Sequence, residues 1–197
     1  MIKVRLSIND INKYQTGNLP DNAVKIETPE NIDEMMKKSA PIAVILCMLL
    51  FTTILCKTIL SGTVVISPLF ILVGFIIGFV LLLGHEWLHG IVYPKEADVT
   101  IGRIKGKVTF VALASFPLKR FRFIAMCLLP FILGLVPLIF FIFCPAEYKI
   151  FNGIMFGMAC MGMVSPFPDV YNVILVLRKT KRNDAIMFYQ DDIYKIS

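Results

Sequence analysis

Residues 85 to 89 read His85-Glu86-Trp87-Leu88-His89, and the chain holds no other histidine. On a helix, positions i and i+4 share a face, so both imidazoles can reach one metal ion. Glu86 then stands close enough to act on a water held by that ion. The motif lies in an apolar run without any other charge. Burying such a trio unpaired in hydrocarbon costs several kcal/mol, so the pattern points to a metal centre.

Two histidines make half a site, because a catalytic zinc takes three protein ligands and keeps one position open. The missing donor has to be a carboxylate or a thiolate at the same depth. Asp169 is the only charged residue between Lys149 and Arg178. Eight residues separate His85 from Tyr93, and eight separate Asp169 from Leu177. At the helical rise, each group should lie about 12 Å from the end of its apolar run. Asp169 is therefore expected as the third ligand. Its other readings are a counter-ion to Arg178 and a protonated acid hydrogen-bonded within the bundle. Pro166 and Pro168 remove backbone donors just before the acid and should unwind the helix there. Ser165 and Asn172 are the candidate substrate contacts, an interhelical hydrogen bond being the other reading of Asn172. Trp87 and Tyr93 are expected to pack against lipid or the bundle.

Elements able to hold these groups follow from the composition. Of the 197 residues, 57% are hydrophobic and only 17% charged, whereas a soluble domain has about 25% charged residues. The chain reads as an integral membrane protein. Four apolar stretches with at most one charged residue each, about 39–56, 64–93, 123–146 and 150–177, come close to or exceed the roughly 20 residues of a bilayer crossing. The expected fold is an all-α membrane bundle of about four transmembrane helices, with a small β-hairpin between the second and third on the cytoplasmic side. Around this membrane domain (39–178) stand a cytoplasmic cap (1–38) and a cytoplasmic tail (179–197), and the hairpin occupies the loop 97–114.

Orientation follows from the basic residues. All 20 lie in the N-terminal segment, the middle loop or the tail, except Lys57 and Lys149. Both termini and the middle loop are therefore expected in the cytoplasm of a multi-pass cell-membrane protein. No cleavable leader is expected, since a polar, charged segment precedes the first apolar run. The net charge of +6 reads as topology and affinity for anionic lipid, not as a nucleic-acid surface. The five cysteines lack metal-type spacing and read as packing residues. Cys56 and Cys144 both approach the outer face, and a disulfide between them is left open.

Within the cap, Lys3 to Ile8 reads as a strand. Thr28-Pro29-Glu30 reads as a helix start, with Thr28 as cap and Pro29 in the first position. From Asp98 to Val111, partial alternation, β-branched residues and a Lys-Gly turn give the hairpin. Ala112 to Pro117 is apolar enough to dip into the membrane beside the site; an amphipathic surface loop is the other reading.

The His85-Glu86-x-x-His89 motif in a membrane helix, the strand-rich loop and the later Pro166-Phe167-Pro168-Asp169 together resemble the site-2 protease class of intramembrane zinc metalloproteases. The resemblance is closer still to compact bacterial chains classed as zincin peptidases of unknown function. It covers about residues 60 to 180. It departs from the family where Val170 follows Asp169 in place of glycine, and it lacks the family's PDZ module.

The expected function is zinc-dependent endoproteolysis of membrane-spanning or membrane-bound substrates, with His85, His89 and Asp169 holding Zn²⁺ and Glu86 catalytic. One rival is a zinc-binding membrane protein without proteolytic activity, acting as a pseudoprotease or adaptor. Another is a small ion transporter using Glu86 and Asp169 as a relay, although the chain shows no inverted repeat. The partners implied are a membrane protein or peptide substrate and the bilayer.

Overall fold

The computed structural model describes residues 2–29, 31–106, 110–190 and 192–197, with Ile32 described by its backbone alone. In chain order the elements are β1 (Ile2–Ile8), β2 (Ala23–Lys25), α1 (Ile32–Ser61), α2 (Pro68–Val80), α3 (Leu82–Val92), β3 (Val99–Ile104), β4 (Phe110–Ala114), β5 (Leu118–Lys119), α4 (Arg120–Leu128), α5 (Ile132–Phe143), α6 (Lys149–Val164), α7 (Phe167–Lys179), β6 (Ala185–Tyr189) and β7 (Asp192–Ile196). Short 3-10 turns occupy Ile11–Tyr14 and Leu129–Phe131.

Four helices among the described residues are long and apolar enough to cross a membrane: Asp33–Ser61, Pro68–Val92, Arg120–Phe143 and Lys149–Lys179. The chain is mostly helical, but the expectation of an all-α bundle with a single hairpin is corrected. Among the described residues two sheets are present, one of three strands and one of four. Lys3 to Ile8 does form a strand, and the 99–111 segment does pair antiparallel, Val99 opposite Ala114 and Arg103 opposite Phe110. Its tip, residues 107–109, lies outside the described residues. What the local pattern could not show is that β1 adds to this hairpin in parallel, Ile2 opposite Val99 and Arg5 opposite Gly102. The second sheet, in the order β2-β7-β6-β5, gathers strands from the cap, the middle loop and the tail.

The first long helix starts later than Thr28-Pro29-Glu30 implies. Asn31 is its cap, accepting from the Glu34 backbone N–H through Oδ1 at 2.9 Å, while Asp33 and Glu34 supply acids in the first turn. Thr28 instead donates its hydroxyl to Asp192 at 2.9 Å, and Glu30 lies outside the described residues.

The chain divides into two compact units: residues 1–38, 85–129 and 168–197 form one, and 39–84 and 130–167 the other. The second unit is helical, from α1, α2, α5 and α6. There α2 and α6 meet backbone to backbone. A Cβ on Gly157 would come within 2.3 Å of the Ile71 carbonyl oxygen and 2.9 Å of Gly74 Cα. Small residues permit that approach, as in many membrane helix pairs. Leu50, Val65, Phe141, Phe156 and Ala159 form the buried cluster. Lys57 donates to the Phe141 carbonyl and, at 2.9 Å, to Asn152 Oδ1. The fully buried Asn152 amide donates in turn to Pro145 O at 2.9 Å. Lys57 and Asn152 thus satisfy each other and cap the end of α5. Cys56 and Cys144 are free thiols.

The first unit carries both sheets, α3, α4 and α7. Its core joins Val99, Ile101 and Ala114 of the first sheet to Phe123, Met126 and Cys127 of α4, Val173 and Val176 of α7, and Ile186 and Ile193 of the second. Gly90 faces the side chains of Ile2, Val99 and Ile101, so the three-stranded sheet lies directly on α3. Tyr93 is buried in this core, and Trp87 is half exposed.

Candidate metal centre

Both imidazoles sit one turn apart on α3 and are buried, His85 at 6% and His89 at 8% exposure. Their Nε2 atoms approach to 3.0 Å. Asp169 enters from the first turn of α7, where negative charge is favoured by the helix dipole. The proline-rich approach behaves as the sequence implies: α6 ends at Val164, residues 165 and 166 form a turn, and α7 restarts at Phe167. Pro168 then falls at the second helical position, where its missing N–H removes no intrahelical bond. The α2–α3 run is broken as well, at Leu81, four residues before His85.

Asp169 Oδ2 lies 3.4 Å from His85 Nε2 and 3.5 Å from His89 Nε2. These are the three residues that could hold one metal ion together. A tetrahedral ion with ligands at about 2.05 Å spaces its donors about 3.3 Å apart, which the observed triangle matches. The donor chemistry fits as well. His89 Nδ1 lies 2.9 Å from the Met126 carbonyl oxygen, which can only accept, so the ring carries its proton there. Its Nε2 lone pair is thereby left facing the other two donors, the usual outer-shell support of a metal-bound histidine. Two imidazole nitrogens and a carboxylate oxygen converging in this way suit zinc.

Glu86 points at the same place, with Oε1 3.8 Å from His85 Nε2 and its side chain 13% exposed. The Ala112 backbone N–H donates to the Glu86 carboxylate. That residue lies on β4, an outer strand of its sheet. Reading the sequence alone missed the backbone partners Met126 and Ala112. A backbone contact leaves no mark in residue identity, although the apolar stretch from Ala112 had signalled a segment beside the site.

The structure does not bring every predicted residue to this cluster. Ser165 belongs to the other unit, where its buried hydroxyl oxygen has no hydrogen-bond partner among the described residues. It lines a small cavity there with Gly78, Leu82 and Gly162. Asn172 is half-buried on α7, one turn beyond Asp169, and its amide has no hydrogen-bond partner among the described residues. The interhelical bond considered for it is not seen among the described residues. Asp169 faces the imidazoles and makes no ion pair with Arg178 among the described residues.

A buried pair of imidazoles, one carboxylate and an adjacent glutamate define the ligand class of zinc hydrolases. The chain belongs to the family described as "Putative zincin peptidase", which matches residues 78–184, just over half of its length and all four of these residues. It is accordingly a zinc metallopeptidase in general class. No curated protein and no solved structure matches it.

Proposed function

We propose that this protein is a membrane-embedded zinc endopeptidase whose ligands are His85, His89 and Asp169 and whose general base is Glu86. The observation that carries the reading is the convergence of three ligand atoms within 3.5 Å of one another beside a glutamate that is not itself a ligand. When bound, zinc supplies a Lewis acid that makes a coordinated water nucleophilic near neutral pH and polarises the scissile carbonyl. Glu86 accepts the proton of the attacking water on a carboxylate oxygen and returns it to the leaving amine nitrogen. The Ala112 N–H steadies that carboxylate. Met126 O holds the His89 ring in the tautomer that presents Nε2. A structural zinc usually fills its fourth position with protein. Among the described residues no fourth histidine, cysteine or acid joins the trio.

The four long apolar helices and the crowding of basic residues at one set of loops support a multi-pass protein with cytoplasmic termini. The motif then lies towards the cytoplasmic end of the second span, within reach of water. A membrane-spanning or membrane-bound peptide is the substrate class. An unwound segment added to the outer edge of β4 would pass Glu86 through the strand whose Ala112 already reaches it. The Asn172 amide, without a hydrogen-bond partner among the described residues, is available to such a segment.

The test is cleavage of single-span reporter peptides by the purified protein and by Glu86→Gln. Loss of a general base should lower the rate about 100- to 10,000-fold with zinc content unchanged. Equal cleavage by the variant removes Glu86 from the reaction.

A further inference from the structure

The two helices that bear the ligands end in carbonyls with no intrahelical donor. In both cases an arginine from the first turn of α4 serves the end. Arg122 Nε donates to Val92 O, the last residue of α3, at 2.6 Å. Arg120 Nη2 donates to Leu177 O, in the last turn of α7, at 3.1 Å. The same short helix supplies the Met126 carbonyl that fixes His89. Its Phe123, Met126 and Cys127 share one buried core with Val173 and Val176 of α7. Neither arginine has an acidic partner among the described residues. Both positive charges therefore stand at the negative ends of helix dipoles, which is where a cation stabilises a helix terminus.

We propose that Arg120 and Arg122 are positioning residues: with Met126 they make α4 a brace that sets the separation of α3 from α7, and so of the histidine pair from Asp169. Val92 lies three residues beyond His89, so a shift at the end of α3 is carried directly to the ligand. The inference rests on the metal-centre reading above. Neither arginine touches the reacting atoms. Their contribution is to hold the ligand triangle at the size that a tetrahedral ion requires.

The experiment is a zinc competition titration of the full-length protein in detergent against a chromogenic chelator, with metal-free thermal unfolding alongside. Arg120→Gln and Arg122→Gln are each expected to weaken zinc binding about 10-fold, the range for losing an outer-shell support. The double variant should lose more. Arg122→Lys keeps a charge and one donor and should weaken binding only about threefold. The exposed Arg182→Gln, in the loop after α7, serves as control and should match wild type. Zinc affinity within twofold of wild type in both Gln variants overturns the proposal. So does a fall in the metal-free unfolding midpoint with no change in affinity, which would leave the arginines as ordinary helix caps. Should Arg122→Gln fail to fold, Arg120→Gln decides, and wild-type affinity in it overturns the brace. A wild-type protein that takes up no zinc refutes the metal centre itself, a result separate from any of these.

Discussion

Replacing Asp169 with alanine removes one of three converging donors and leaves two imidazole nitrogens 3.0 Å apart. Four-ligand structural zinc sites in small peptides bind with about 10–16 kcal/mol, so one ligand is worth about 3 kcal/mol, or roughly a hundredfold in affinity. That loss has a second readout through linkage. At free zinc 100 times the wild-type dissociation constant, the folded protein gains about 2.7 kcal/mol. The same zinc gives Asp169→Ala only about 0.4 kcal/mol, because its concentration then merely equals the weakened constant. Zinc should therefore raise the wild-type unfolding midpoint clearly and leave the variant almost unmoved. Asp169→Glu adds one methylene, about 1.5 Å, to a carboxylate already at the right reach, and should fall between the two. Equilibrium dialysis with metal analysis by mass spectrometry supplies the stoichiometry, and chelator competition the affinity. One zinc per chain bound at wild-type affinity by Asp169→Ala would refute the assignment of Asp169 and the geometric argument behind it.

Two further outcomes follow from the geometry. Gly157→Leu forces a side chain onto the Ile71 carbonyl, where even a Cβ would stand at 2.3 Å, and should destabilise the helical unit by about 2 kcal/mol in denaturant unfolding. Gly84→Ala, whose Cβ meets no atom within 4 Å, should not, and equal losses in the two would sink the close-contact explanation. Between β1 and β3, Lys3 sits 3.1 Å from Asp98 and holds that carboxyl below its ordinary value of 3.8. A depressed acid contributes stability above its unfolded value and loses it as pH falls through the folded one. The difference in unfolding midpoint between wild type and Lys3→Gln should therefore be small near pH 6, the pair being exposed, and vanish once the pH has fallen through the lowered folded value of Asp98. A difference that persists unchanged in acid would count against it.

Chemistry was more legible in this sequence than architecture. The spacing of His85 and His89 specifies one helix face, with Glu86 beside it, without reference to anything else in the chain. In the sequence Asp169 stands out as the lone charge between Lys149 and Arg178, as far from the end of its apolar run as His85 is from the end of its own. Strand pairing has no such local mark. The alternation in Lys3 to Ile8 marks a strand, but nothing in it shows that Ile2 will stand opposite Val99, nearly a hundred residues away. In the second sheet, β5 is only two residues long, too short for periodicity to register, and its partner β6 lies in what reads as a polar tail. Arg120 and Arg122 were counted as topology signals. Their hydrogen bonds to Leu177 and Val92 depend on helix ends that no residue pattern locates to one position.

The break before Asp169 shows how such local rules serve the site. A continuous helix through Ser165 and Pro166 would place Asp169 in mid-helix, with its neighbouring backbone N–H groups already bonded and no dipole end nearby. The turn at 165–166 starts a new helix within an apolar run, and Asp169 falls in its first turn. There the positive end of the dipole favours a carboxylate by about 0.3–1 kcal/mol at exposed sites and more where water is scarce. A carboxylate ligand has to be ionised, and burial opposes ionisation. The two prolines thus do more than open the chain. By setting where α7 begins, they give the one acid in this stretch surroundings that tolerate its charge before any ion arrives. The imidazoles need no equivalent, since they bind metal in their neutral form, and the break at Leu81 accordingly leaves His85 at the fourth position of α3 rather than at its first.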